Sequence, residues 1–80
     1  MNAKDAVAAR INEVCKEKGI TVNELANLSG ISPSTIYSML NTKSKNPGVV
    51  SIQKICDGAE ITIRYFFDSP LFENLEQEIK

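Results

Sequence analysis

Apolar residues recur at helical spacing along almost the whole chain. Val7, Ala8, Ile11, Val14 and Cys15 lie three and four apart, and Gly19 after Lys18 is a stop, which predicts a first helix over about residues 3 to 18. Leu25, Ala26 and Leu28 belong to a second helix, from about Val22 to Ser29. Ile36, Met39 and Leu40 share one face of a third, from Pro33 to about Asn41, and must point into the core. Asn46, Pro47 and Gly48 break the pattern as a loop. Ile52, Ile55, Cys56 and Ala59 then resume it in a fourth helix from near Val50, with Gly58 near its end. Thr62 caps a short fifth helix whose Phe66 and Phe67 are expected to close the core. Beyond a Ser-Pro start at Ser69, the residues Leu71, Phe72, Leu75 and Ile79 form one stripe with acids opposite, an amphipathic C-terminal helix. Such a helix could fold back on its own domain, pair with a second copy, or fray, because short helices need tertiary contacts to persist. No segment alternates as a strand would. The expectation is an all-α chain: a compact five-helix domain over residues 1–67 and an acidic amphipathic extension over residues 68–80.

The junction between the second and third helices is the most specific part of the pattern. Thr21 followed by Glu24 is a capping box, in which the hydroxyl accepts from the Glu24 amide and the carboxylate reaches back to the Thr21 amide. Gly30 suits a left-handed stop, and Ser32 before Pro33 supplies an N-cap with proline at the first helical position. Two helices joined by so short a turn cannot lie antiparallel. They must cross steeply, which is the helix-turn-helix arrangement.

Composition narrows the function classes. Eighty residues make one domain with a single modest core. No apolar run approaches the roughly 20 residues of a membrane span. The N-terminal MNAKDAVAAR carries charges where a signal peptide needs an apolar centre, so a cytoplasmic location is expected. Cys15 and Cys56 each fall on an apolar stripe, which favours buried thiols over a disulfide or metal site. The chain has no histidine, and no nucleophile has a neighbouring base at a recognisable spacing, so neither catalysis nor a cofactor is expected. Net charge is −1, but its distribution is uneven. No carboxylate occurs between Glu24 and Asp57, where Lys43, Lys45 and Lys54 lie, whereas Asp68, Glu73, Glu76 and Glu78 face Lys80 alone. A mildly basic module therefore carries an acidic appendage.

If Ile36, Met39 and Leu40 face the core, about 100° per residue places Ser34, Tyr37, Ser38 and Asn41 on the far side, with Pro33 and Thr35 flanking the helix start. Hydroxyls can bond base edges or phosphates, asparagine can bond adenine twice, and a tyrosine ring can contact a thymine methyl. Asn41, Lys43, Ser44 and Lys45 follow the helix that would enter a groove and are the candidate phosphate anchors. At the other end, the amides of Val22 and Asn23, capped by Thr21, form a positive helix terminus that can receive a phosphate.

Residues 7 to 67 resemble the phage Cro and repressor type of helix-turn-helix domain, also called the xenobiotic response element family and λ-repressor-like in fold. The resemblance rests on Gly19-Ile20-Thr21, Glu24-Leu25-Ala26, Ser29-Gly30-Ile31-Ser32, Ser34-Thr35-Ile36, Asn41, Asn46-Pro47, and the closing Ile52, Ile55, Phe66 and Phe67. It implies a transcriptional regulator whose third helix enters the major groove of double-stranded DNA, commonly as a homodimer on half-sites about 34 Å apart. Carried over position by position, base reading falls on Pro33, Ser34 and Ser38, and backbone contacts on Thr21, Val22, Asn41, Lys43 and Lys45. The chain departs from the family at three places. Val22 and Pro33 stand where glutamine is common, which removes a phosphate contact and a base contact. Cys15 and Leu40 stand where many members have an arginine and a glutamate, and an ion pair replaced by apolar packing is often neutral or stabilising.

Two functions are consistent with these residues. One is a sequence-specific DNA-binding regulator acting by occupancy as a repressor, with its tail helping it dimerise. The other is a protein-interaction module of antitoxin or anti-repressor type with weak or no DNA binding, in which residues 69–80 dock a protein partner.

Overall fold

The computed structural model describes residues 1–41 and 46–79, and the regular elements among them are all helical. The helices are α1 (Ala3–Lys18), α2 (Val22–Ser29), α3 (Pro33–Leu40), α4 (Val49–Ala59) and α5 (Ile63–Phe67), followed by a 3-10 turn at Pro70–Phe72. Local caps explain these boundaries. The Asn2 side chain accepts from the Asp5 amide at 2.8 Å to open α1. The capping box of α2 is formed in both directions, with Glu24 N donating to Thr21 Oγ1 at 3.1 Å and Thr21 N to Glu24 Oε1 at 3.0 Å. Gly30 ends α2 at φ 67°, and the Ile31 amide returns to the Ala26 carbonyl at 3.0 Å. Thr62 Oγ1 accepts from the Tyr65 amide at 2.9 Å to open α5.

The helices enclose one core. Ile11, Val14, Leu25, Ile36, Ile55, Cys56 and Phe66 are sealed from solvent, and Ile20, Val22, Leu40, Ile61 and Phe72 pack around them. Both cysteines lie in this core, where burial pushes their thiol pKa values up; for Cys56 the charge of Asp57 adds to the rise and that of Arg10 opposes it. Neutral, packed thiols are what their positions on apolar stripes predict.

The helix α4 passes very close to α2. A Cβ built on Gly58 would lie 2.8 Å from the Ser29 amide nitrogen and 2.9 Å from the Leu28 carbonyl carbon, so only glycine fits without displacing backbone. Gly58 lies near the end of α4, as expected, and the seam with α2 is what requires glycine there. The stop is Glu60, at φ 58°, from which Ile61 N returns to the Cys56 carbonyl at 2.9 Å. Ser29 is buried in the seam, and among the described residues its hydroxyl has no hydrogen-bond partner.

Arg10 is the other unanticipated member of the interior, at 3% exposure. Its Nε donates to the Phe66 carbonyl at 2.7 Å and a terminal nitrogen to the Tyr65 carbonyl at 3.0 Å, so the guanidinium caps the end of α5. It also pairs with Glu13 and, at 3.3 Å, with Glu17, and sits 5.2 Å from the Tyr65 ring centroid. Burial works against the charged form, but the hydrogen bond that Arg10 donates to Glu13 and the charges of Glu17 and Glu13 outweigh it and hold the pKa above its ordinary value.

Two expectations for the end of the chain need correction. Phe66 closes the core, but Phe67 remains 39% exposed, set edge-on to Phe66 at 5.0 Å. The amphipathic C-terminal helix does not form; a single 3-10 turn gives way to irregular chain, with Asn74 at φ 58°. Glu76 and Glu78 would have lain towards the negative end of a short helix dipole, and Phe72 instead docks on Phe67 at 4.8 Å and on Phe66 at 6.2 Å. The segment folds back on its own domain. Leu71 and Phe72 are half-buried there, and Ile79 is exposed.

Gly58→Ala is expected to lower stability by about 1–2 kcal/mol, because overpacking against backbone outweighs a helix-propensity gain of about 1 kcal/mol. Ser29→Ala, which removes the unpaired hydroxyl, is expected to raise stability by about 1 kcal/mol. Urea denaturation of both variants measures the signs, and a stabilised Gly58→Ala protein would show that the seam is loose.

Candidate nucleic-acid interface

Local sequence sets the orientation of α3. Ile31 is buried immediately before the helix, and Ile36 and Met39 are buried within it, which fixes its inner side. Leu40, expected in the core with them, is half-buried against its edge. Rotation about the axis then leaves Ser34, Tyr37 and Ser38 on the outer side, and all three are exposed, Tyr37 at 51%. Pro33 and Thr35 are exposed at the helix start, and Asn41 is exposed at its end.

Hydroxyls dominate the start of this surface. Ser32 Oγ accepts from the Thr35 amide at 3.3 Å and lies 2.8 Å from Thr35 Oγ1 and 3.3 Å from Ser34 Oγ. A serine or threonine hydroxyl has one donor and two acceptor positions, so these internal contacts leave capacity for an outside partner. None of the residues of α3 is charged. The helix therefore offers neutral, short-reach hydrogen bonding and one aromatic ring, and it lacks the bidentate arginine contact to guanine.

The start of α2 supplies a second group of candidates. Thr21 and Asn23 are exposed there, while the Val22 side chain is half-buried against the core and leaves only its backbone available. The first helical backbone bond is made by the Leu25 amide to the Thr21 carbonyl at 3.0 Å, and Glu24 N is taken by the Thr21 hydroxyl. The Val22 and Asn23 amides precede both, at the positive end of the helix.

Asn41 ends α3 in extended backbone, with φ −84° and ψ 120°. Its carbonyl accepts from Lys4 Nζ at 2.7 Å, which brings an ammonium from α1 to the end of the outward helix. Lys4 has no signal in the helix-turn-helix pattern, because it lies 37 residues earlier in the chain. The remaining candidates, Lys43, Ser44 and Lys45, lie outside the described residues. Among the described residues, no helix is long and apolar enough to cross a membrane.

Comparison with known proteins agrees with this geometry. A family described as the Cro/C1-type HTH DNA-binding domain matches residues 10–64. Among solved structures, prophage Lp1 protein 11 is 31% identical over 88% of this chain and 93% of its own, with a TM-score of 0.80. The wild-type restriction-modification controller protein C.Esp1396I is 28% identical over 80% of this chain and 81% of its own, with a TM-score of 0.72. No curated protein matches the chain.

The outer face of α3 should be separable from the fold. Ser34→Ala, Tyr37→Ala and Ser38→Ala are each expected to change stability by no more than about 0.5 kcal/mol. Ile36→Ala, on the opposite face, should cost about 2–5 kcal/mol. Thermal unfolding of the four variants checks the contrast.

Proposed function

Because the chain belongs to the family of Cro/C1-type HTH DNA-binding domains, matched over residues 10–64, we propose that it is a cytoplasmic transcriptional repressor that reads duplex DNA with α3 in the major groove. The observation that carries this reading is the outward, uncovered set of Ser34, Tyr37 and Ser38 on a helix whose other side is locked in the core. In this reading Pro33, Ser34, Tyr37 and Ser38 meet base edges. Thr35 and Asn41 contact the sugar-phosphate backbone beside them, and the start of α2, through Thr21 and the Val22 and Asn23 amides, receives a phosphate. Lys43, Ser44 and Lys45 add to the backbone contacts as the sequence proposes.

The regulator acts by occupying its site and needs neither catalysis nor a cofactor. Two copies related by a two-fold axis would place their reading helices in successive major grooves about 34 Å apart. The similarity to a restriction-modification controller protein and to a prophage protein supports a regulatory role. A neutral reading helix offers few strong discriminating contacts. Most affinity must therefore come from the backbone, and specificity from hydroxyl contacts, bridging water and the shape of the duplex.

Salt titration of binding to random and selected duplexes tests this. Affinity should fall steeply with salt, with a log-log slope of about −0.9 for each phosphate neutralised. Lys43→Ala should weaken binding to every sequence alike, by reducing that slope by about 1, whereas Ser38→Ala should change preference among sequences. Selection of bound fragments from random DNA should return palindromic sites. Absence of duplex binding at any salt would remove the repressor reading and leave a protein-interaction module.

A further inference from the structure

We propose that Lys4, on α1 and outside the helix-turn-helix, is a DNA-backbone contact, and that the acidic end of the chain competes with phosphate for it. The proposal rests on DNA binding through α3. Its first support is the bond from Lys4 Nζ to the Asn41 carbonyl at 2.7 Å, which holds a positive charge where the chain leaves the reading helix. Phosphate attraction at such a place is Coulombic and needs no particular base sequence.

The second support is the cleft in which Lys4 lies. It has a volume of about 430 Å3 and is lined by Asn2, Lys4, Asn46, Pro47 and Glu78, among others. Asn46 and Pro47, just before α4, thus share this cleft with Glu78 of the C-terminal segment. Glu78 therefore lines the same cleft as Lys4.

The third support is how the acidic segment is held. The Glu76 amide donates to the Met1 carbonyl at 3.3 Å, and the Glu76 carboxylate lies 3.7 Å from the Met1 ammonium. Both partners of that ion pair are largely exposed, so it is screened by solvent and salt and is easily exchanged. Its backbone returns to the start of α1, Leu75 is half-buried, and Ile79 stays in solvent. The segment is therefore positioned to oppose phosphate without being locked in place. Reduced ionic competition, not a large conformational change, is what removing its charge would accomplish.

The test is fluorescence-anisotropy binding to random and selected duplexes across a salt series, using the full chain, Lys4→Gln, Lys4→Arg, Glu78→Gln and the double variant Lys4→Gln/Glu78→Gln. Lys4→Gln should weaken binding to all sequences and reduce the log-log salt slope by about 1, and Lys4→Arg should retain the slope. Glu78→Gln should tighten binding about two- to five-fold at low salt, a gain that fades as salt rises. In the Lys4→Gln background that gain should vanish. Circular dichroism and thermal midpoints confirm that each variant is folded, and Lys4→Arg distinguishes loss of charge from loss of the tether to Asn41. The inference falls if the wild-type chain binds duplex but Lys4→Gln leaves slope and affinity unchanged. It falls equally if the Glu78→Gln gain is the same with and without Lys4. Failure of the wild-type chain to bind any duplex is a different result, because it overturns the DNA-binding reading itself.

Discussion

The close approach of α4 to α2 at Gly58 is the constraint on which the arrangement of the other helices depends. The helix α2 has only eight residues, too few to persist alone, and it is fixed by burying Leu25, Ala26 and Ser29. Backbone contact at Gly58 lets α4 lie against that face without an intervening side chain. A three-residue turn follows, with Ile31 buried in the core, so the start of α3 has little freedom. Once Ile36 and Met39 are buried, the outer side of α3 is determined as well. The exposure of Ser34, Tyr37 and Ser38 is thus a consequence of packing two elements away. The unpaired Ser29 hydroxyl is a local cost of that close approach.

Arg10 performs the corresponding task at the other end of the domain. The helix α5 has five residues, and all its last carbonyls lack partners within the helix. A buried guanidinium bonded to the Phe66 and Tyr65 carbonyls satisfies two of them and places a cation at the negative end of the helix. Glu13 and Glu17 compensate its charge from the same face of α1, and the Tyr65 hydroxyl donates to Glu17 Oε2 at 3.1 Å. The network holds Phe66 over the core, and Phe72 then closes on the aromatic pair. Removing Arg10 alone would leave both carbonyls and two carboxylates without their shared partner, which is costlier than replacing the whole network with apolar residues.

The parts of this structure that could be read from sequence are those encoded by neighbours. Asn2, Thr21, Ser32 and Thr62 each bond an amide three residues ahead, so the starts of α1, α2, α3 and α5 follow from short words in the chain. The outward face of α3 was legible for the same reason, since three apolar residues at helical spacing fix a rotation. What escaped reading depends on distant partners. Arg10 lies three residues after Val7 and four before Val14, on the apolar stripe, but the carbonyls that justify its burial lie 55 and 56 residues away. Gly58 is legible as a residue near the end of α4, but its packing role shows only when α2 is placed against it. The C-terminal segment has a helical stripe, yet Phe72 finds a better partner in Phe67 than in its own turn, and Asn74 takes a left-handed conformation. Lys4 reaches the end of α3 only because α1 is laid beside Asn41.

With α3 as the reading helix, as proposed, its neutrality gives unusual weight to charges placed outside it. A helix rich in arginine carries affinity and discrimination in the same side chains, so an acid elsewhere on the surface changes little. Here α3 has no charged residue, and its serine hydroxyls have too short a reach to compensate for a shift of the domain on the duplex. Position must be set by backbone contacts before the hydroxyls meet any base edge. In the proposed reading those contacts are electrostatic, and one candidate, Lys4, lines the same cleft as Glu78 from a segment that bears several carboxylates. Net charge is therefore a poor guide to such a protein: at −1 it suggests indifference to nucleic acid, whereas the proposed interface depends on how individual lysines and glutamates are distributed along the chain.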